Sequence, residues 1–385
     1  MTKRIYLDNA AGTPVSAPVR RAMARAVDLT GNPSSVHDDG RRAASALGES
    51  RAAVARFLGT RPGDVIFTAS ASEANTMAIV RLAEANPRYR HIVTNPAEHK
   101  SVLDAVALLK RRGWSVTMVP VDDYGFVDPD AVLAAVRKDT LLISVMYANN
   151  EIGTIQPVAE IGRKLRRLRG SRPFPLLHTD ACQAAGYLPM DVHRLQVDLL
   201  TMNGSKIYGP RGIGVLCVPV HVSVEPQVVG SAHERGLRAG TENVPAAVGL
   251  AAAVEGIHSR HGERMARVRN RIELGLAHAA GDCRVNGPED GRRVPGIISL
   301  SVAGVRSEEL VLELDKNGVS VGAGAACTVR ETGHSHVMKA IGVPRRYREG
   351  VIRVSLGRGT TADDADRFLH ILRKSVGAVR ERNRF

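Results

Sequence analysis

The chain has 385 residues, 44% of them hydrophobic, enough to bury a sizeable core without disulfides or structural metals. Its formal charge of +14 raises an acidic partner or nucleic acid, but the arginines are scattered over helical faces such as Arg163 to Arg169 and Arg373 to Arg384, and aromatic residues make up only 4%, too few for base-stacking platforms. The amino terminus lacks a long apolar run, no stretch reaches the roughly 18 apolar residues of a membrane span, and Cys182, Cys217, Cys283 and Cys327 are far apart with no C-x-x-C pair, so a cytoplasmic protein with reduced thiols, no disulfide framework, no membrane contact and no dedicated zinc site is expected.

Apolar runs bounded by turn residues follow one another along the chain: Val65 to Thr68, His91 to Thr94, Val116 to Val121, Leu141 to Tyr147, Pro175 to His178, Val197 to Met202 and Gly214 to Val218. Helical patterns lie between them. This alternation predicts an α/β sheet with helices on both faces, whose ligands gather at the strand carboxyl ends. Ser70 with Glu73 matches the S-x-x-E capping box and predicts a helix directly after the first run. Asp128-Pro129 caps a helix over Ala131 to Arg137, and Pro157 opens one over Val158 to Leu168. From Pro245 to about Ala280 a largely uninterrupted helical pattern runs past Gly256 and Gly262. Beyond it, shorter strands over Ile297 to Val302 and Ile352 to Ser355 alternate with amphipathic helices, which predicts a change of domain near residue 260.

The segment Asn203-Gly-Ser-Lys206-Ile-Tyr-Gly-Pro sets one lysine in a short polar turn right after an apolar run. A lysine held there can form an imine. Leu176-Leu-His178-Thr-Asp180 supplies an acid about one strand upstream. A strand-end amine beside a strand-end carboxylate is what pyridoxal phosphate (PLP) needs, an attachment point and a counter-charge for its pyridine nitrogen. Ser70-Ala71-Ser72 offers free helix amides and a hydroxyl for the phosphate, although a well-capped helix explains the same residues.

Cys327 sits among the small residues of Val321-Gly-Ala-Gly-Ala-Ala-Cys-Thr-Val-Arg-Glu-Thr-Gly333, a composition that argues against rigid packing and suits a thiol that travels. Cys182 beside Asp180, Cys217 in an apolar strand and Cys283 in a polar loop are weaker candidates for a nucleophile. His334-Ser-His336 lacks a thiol or carboxylate partner in register and is poor evidence for a metal.

Taken in order, Tyr6-Leu-Asp8-Asn9-Ala-Ala, Gly31-Asn-Pro-Ser-Ser-Val-His37, Glu98-His99-Lys100, Asn149-Asn150-Glu-Ile-Gly153, Asp180-Ala-Cys-Gln183, Gly204-Ser-Lys206, Arg238-Ala-Gly240-Thr241-Glu-Asn243, Ala326-Cys327-Thr328 and Arg353-Val-Ser355-Leu-Gly-Arg358 resemble the cysteine desulfurases, the NifS/IscS-like branch of the class-V aminotransferases. The resemblance covers nearly the whole chain. It implies a fold-type I PLP-dependent transferase with a large domain over 14–260, built on a mostly parallel seven-stranded sheet. A smaller α+β domain over 1–13 and 261–385 would carry the catalytic cysteine loop.

The resemblance further implies a homodimeric enzyme that converts L-cysteine to L-alanine and leaves a persulfide on Cys327 for a sulfur-acceptor protein. That acceptor could be an iron-sulfur scaffold, a tRNA-thiolation protein or a phosphorothioation protein. Lys206 would carry the cofactor and take the α-proton, and His99 would stack on the ring and assist both protonation and thiol deprotonation. Asp180 would face the ring nitrogen, while Asn150 and Gln183 would bond the ring hydroxyl or the substrate carboxylate. Ala71, Ser72, Asn203 and Ser205 would complete the cofactor cup, and Thr241 would reach the phosphate of the neighbouring subunit. Arg353 would grip the substrate carboxylate, with a surface ion pair as the plainer reading. Ser205 departs from the histidine common in relatives and cannot carry its positive charge, which leaves Arg238 and Thr241 to compensate. The competing readings are a selenocysteine lyase or other PLP lyase on the same scaffold, and a scaffold or nucleic-acid binder using the basic surface.

Overall fold

The computed structural model describes residues 4–324 and 335–383. Its strands, in chain order, are β1 Ile5–Tyr6, β2 Val65–Thr68, β3 His91–Thr94, β4 Ser115–Met118, β5 Thr140–Ser144, β6 Leu176–Asp180, β7 Leu199–Asn203, β8 Gly214–Cys217, β9 Cys283–Asn286, β10 Ile297–Val302, β11 Val319–Ser320 and β12 Val351–Ser355. Seven of them form the central sheet in the order β2-β8-β7-β6-β5-β3-β4. Strands β3 to β7 run parallel, and β8 runs against both of its neighbours. The connection decides the direction: only a short turn joins β7 to β8, whereas parallel neighbours need a crossover long enough for a helix.

Both faces of the sheet are covered, and adjacent residues of one strand enter opposite cores as a period of two requires. Leu177, Leu200 and Val215 join a cluster under the helices Ala17–Val27, Asp38–Leu58, Val158–Arg169 and Val244–Glu255. Leu176, Leu199 and Leu216 join the other, under the helices that begin at Ala71 and Lys100. A second antiparallel sheet, β9-β10-β12, packs with the helices Ser259–Ala280, Ser307–Lys316 and Ala362–Arg382 around its own core. The amino-terminal segment belongs to that core: β1 pairs with β11, and Leu7 is fully buried there.

Two expectations are corrected. The helical pattern over Pro245 to Ala280 is two helices, separated at Gly256-Ile257-His258, where His258 adopts an extended conformation. Tertiary packing divides it, because the first piece is buried against the large sheet while the second packs on the helix Ala362–Arg382 in the other core. Cys283 lies on strand β9 and not in a loop, opposite Val302 of β10. A polar edge strand alternates too weakly to be read from its residues.

Gly214 has a positional reason. It pairs with Thr68, and a Cβ there would lie 2.5 Å from the Ser70 carbonyl carbon. The neighbouring strand thus supplies the room that lets the turn at Ser70-Ala71-Ser72 close. Gly214→Ala should lose roughly 1–3 kcal/mol in urea denaturation, while Gly359→Ala, with nothing within 4 Å of a new Cβ, should stay within about 0.5 kcal/mol of the parent.

Candidate active site

A cavity of about 430 Å³ opens at the carboxyl ends of the parallel strands, a size suited to a small cofactor and substrate. Ala71, Ser72, His99, Asn150 and Asp180 line it. So do Gln183, Asn203, Lys206 and Arg353. The fold therefore gathers on one surface residues that the sequence spreads over most of its length. Ser205 and Thr241 are not in the lining: Ser205 holds its turn through a carbonyl that accepts from the backbone and hydroxyl of Thr13, and Thr241 is exposed. Cys327 lies outside the described residues.

Lys206 ends the short turn Gly204–Lys206 that follows β7. Its Nζ donates to the Ala11 carbonyl at 2.7 Å, and burial holds the amine below its ordinary lysine value. A buried amine sheds its proton more readily and is the better nucleophile.

Asp180, the last residue of β6, is only 5% exposed. Its Oδ1 accepts from the Cys182 amide at 3.0 Å and its Oδ2 from Asn75 Nδ2 at 2.8 Å. The same Asn75 nitrogen donates to Ser101 Oγ at 2.8 Å, which leaves the Ser101 hydroxyl free to donate to His99 Nδ1 at 2.8 Å. The Ser101 backbone amide also donates to that Nδ1, at 3.2 Å, so His99 is the cap of the helix Lys100–Arg111. An amide can only donate. The neutral ring must therefore carry its proton on Nε2, and burial favours the neutral ring by holding His99 below the usual imidazole value.

At the opposite end, the Ser70 hydroxyl accepts from the Glu73 amide at 3.2 Å, as the capping motif predicts. The reciprocal arm differs. Glu73 Oε2 reaches the Ala69 amide instead of the Ser70 amide, because Glu73 Oε1 is held by Arg238 Nε at 3.0 Å. Arg238 is thereby paired with a carboxylate, while Ala71 and Ser72, whose amides have no intrahelical partner at the helix start, line the cavity.

Arg353, on β12, donates to Asp8 Oδ1 and to the Asn150 carbonyl, both at 3.0 Å, and its buried Nε has no partner among the described residues. Gly322 permits this placement, since a Cβ there would come within 3.2 Å of Arg353 Nη2. Gln183 Nε2 donates to the Ala10 carbonyl at 2.9 Å, and Asn203 Oδ1 is buried without a partner among the described residues. An amine, a carboxylate at the next strand end, bare helix amides and orphaned polar atoms around one cavity fit PLP.

Several residues had no role in the sequence reading. Asn75 joins Asp180 to His99, and Asp8 orients Arg353. Glu98 and Glu151 are buried acids, each with one oxygen lacking a partner among the described residues. Their signal was adjacency, since each directly flanks a site residue, His99 or Asn150. Burial raises Cys182 far above the ordinary thiol value and Cys217 to about 12, so both stay protonated and unreactive near neutrality.

Glu98 Oε1 accepts from Asn95 Nδ2 at 2.6 Å and from the Met146 amide at 2.7 Å, yet burial, with Asp180 nearby, pushes the carboxyl from 4.5 to about 8. The folded state thus holds a proton that the unfolded chain releases, so this residue's contribution to stability falls as pH rises from 4.5 to about 8. Glu98→Gln, which keeps an accepting oxygen, should flatten that part of the stability-against-pH curve measured by urea denaturation. A curve that keeps its slope would contradict the assignment.

The comparisons with known proteins agree with this geometry. The aminotransferase class-V family profile matches residues 5–368. A protein of Dictyoglomus turgidum named cysteine desulfurase IscS is 38% identical over 99% of this chain and 96% of its own length. Among solved structures, a NifS-like protein superposes with a TM-score of 0.90 at 33% identity, covering 97% of this chain and 100% of that one. SspA, solved in complex with cysteine, superposes with a TM-score of 0.81 at 30% identity over 93% of this chain and 100% of its own. With the lysine, the carboxylate and the buried imidazole around one cavity, these likenesses place the chain in the class-V aminotransferase family, among its PLP-dependent cysteine desulfurases.

Proposed function

We propose that the chain converts L-cysteine to L-alanine and leaves the sulfur as a persulfide on Cys327, from which an acceptor protein collects it. The arrangement that carries this reading is Lys206 and Asp180 on adjacent strand ends, with His99 tied to Asp180 through Asn75 and Ser101. When bound, PLP supplies an electron sink that makes the substrate's α- and β-carbon bonds labile. Ala71, Ser72, Asp180 and Lys206 would hold it.

The remaining steps belong to side chains. Arg353, kept in place by Asp8 and lining the cavity, binds the carboxylate and orients the amino acid. Lys206, with its depressed basicity, moves the α-proton. His99, whose neutral ring keeps its proton on Nε2, assists the proton transfers by hydrogen bonding from that N–H. Cys327 attacks the substrate Sγ, the new S–S bond forming as the carbon–sulfur bond breaks. Burial keeps the thiols of Cys182, Cys217 and Cys283 protonated, which leaves Cys327 as the cysteine able to act.

We read the division into 14–260 and 1–13 with 261–385 from the two separate cores. No helix of the described residues is long and apolar enough to cross a membrane, which supports a cytoplasmic site of action. The acceptor is a sulfur-receiving protein of iron-sulfur assembly, tRNA thiolation or phosphorothioation.

Purified protein should show the visible absorption of bound PLP and release alanine on adding L-cysteine. Cys327→Ser should keep that absorption and form neither alanine nor protein-bound persulfide, while Lys206→Ala should lose alanine formation by at least about 10³-fold. Alanine and sulfide at the parental rate from Cys327→Ser would remove Cys327 from the mechanism.

Thr241 is exposed on its own chain while the helix amides at Ala71 and Ser72 await a phosphate, which supports a homodimer in which Thr241 completes the partner's cavity. Mixing Lys206→Ala and Thr241→Ala chains tests this, because only a crossed arrangement rebuilds one intact site. Activity of the mixed dimers above that of either variant alone is expected. Mixed dimers no more active than the Thr241→Ala homodimer would place Thr241 elsewhere.

A further inference from the structure

The cavity holds a second imidazole, and its hydrogen bonding is the inverse of that at His99. The helix His336–Ala340 is capped by Ser335, whose hydroxyl accepts from the amides of Val337 and Met338 and donates to Glu151 Oε2 at 2.5 Å. His336 Nε2 lies 2.9 Å from the Glu98 carbonyl oxygen. A carbonyl only accepts, so Nε2 carries the ring proton and the neutral ring keeps a lone pair on Nδ1. That Nδ1 is buried without a partner among the described residues, and His336 lines the cavity. At His99 the lone pair is instead occupied by the Ser101 amide. One ring has its N–H free to donate a hydrogen bond; the other has its lone pair free to accept a proton.

An amino acid reaches the site with its amine protonated, and an ammonium group has no electron pair with which to displace Lys206 from the cofactor. We propose that His336 is the base that takes the ammonium proton of the incoming amino acid, an assignment that rests on the cysteine desulfurase reading. The N–H electron pair stays on the substrate nitrogen and the proton goes to Nδ1, so that no oxidant or further reactant is needed. Glu151 is coupled electrostatically to both His336 and Arg353, which sets the accepting ring near the residue that holds the carboxylate. Burial raises the Glu151 carboxyl above its ordinary value, and a protonated His336 draws it back toward the charged form, so the pair can share the arriving charge. Among the described residues, the other titratable groups near His336 are Glu98 and His99 after β3, with Lys100 in the cavity wall and Lys339 on the same helix.

His336→Gln keeps an amide donor for the Glu98 carbonyl but cannot accept a proton. In the holoenzyme it should lower kcat/KM for L-cysteine by about 10- to 100-fold near neutrality, with a smaller effect on kcat. The deficit should shrink as pH rises, because more of the free substrate then arrives with a neutral amine. A structural fault would not be repaired that way. His336→Asn serves if the first variant fails to fold, with retained PLP absorption as the check. Independently of activity, nitrogen NMR of the cofactor-free protein should show the resonance missing from His336→Gln to be the Nε2–H tautomer. An unchanged kcat/KM, a deficit equal at all pH values, or a ring protonated on Nδ1 in the neutral form would each overturn the assignment. A parent protein that neither binds PLP nor forms alanine would instead sink the desulfurase reading itself.

Discussion

The Asp180 carboxylate, sealed at the end of β6 and held by the Cys182 amide and the Asn75 side chain, is the constraint around which the site is arranged. A buried charge is costly unless hydrogen-bonded, and here the donors include the Cys182 amide and the buried Asn75 side chain. Asn75 uses its second hydrogen on Ser101, so the position of Asp180, the tautomer of His99 and the start of the helix Lys100–Arg111 are set together. A single amide side chain thus relates Asp180 to His99.

Low dielectric surroundings shape the remaining chemistry. Burial lowers the basicity of Lys206 and His99 and makes Glu98, Glu151 and Cys182 weaker acids, in each case favouring the neutral group. Neutral amine and imidazole are the forms that do nucleophilic and acid-base work near physiological pH. The same burial that silences Cys182 activates Lys206, because desolvation favours whichever form is uncharged. Burial alone therefore separates a bystander thiol from a working amine a few residues apart in space.

The second core matters to the site through its edge. β12 carries Arg353 and the short strand β1 leads into Asp8, so the cavity arginine and the acid that holds it come from opposite ends of the chain. The first residues could pair only after residues more than three hundred positions later had formed their strand, and such distant contacts form late and cooperatively. Gly322 and Gly214 show how closely backbone and side chains approach at these junctions, since a methyl group would crowd Asp8 and Arg353 at the first and collide with the Ser70 backbone at the second.

The sequence by itself determined the parallel sheet, from apolar runs alternating with helical patterns, and the pairing of Lys206 with Asp180, from their positions just after such runs. It also carried the ordered motifs that resemble the cysteine desulfurases. Boundaries near 256 and the strand at Cys283 were not legible, because a helix break between two cores and a half-polar edge strand depend on what each piece packs against. Only the tertiary structure decided which nitrogen of His99 and of His336 holds the proton, that Asn75 joins Asp180 to His99, and that Glu73 ties down Arg238. Those are matters of direction and partner among residues far apart in the chain, and periodicity records which face a side chain occupies but not which atom it meets there.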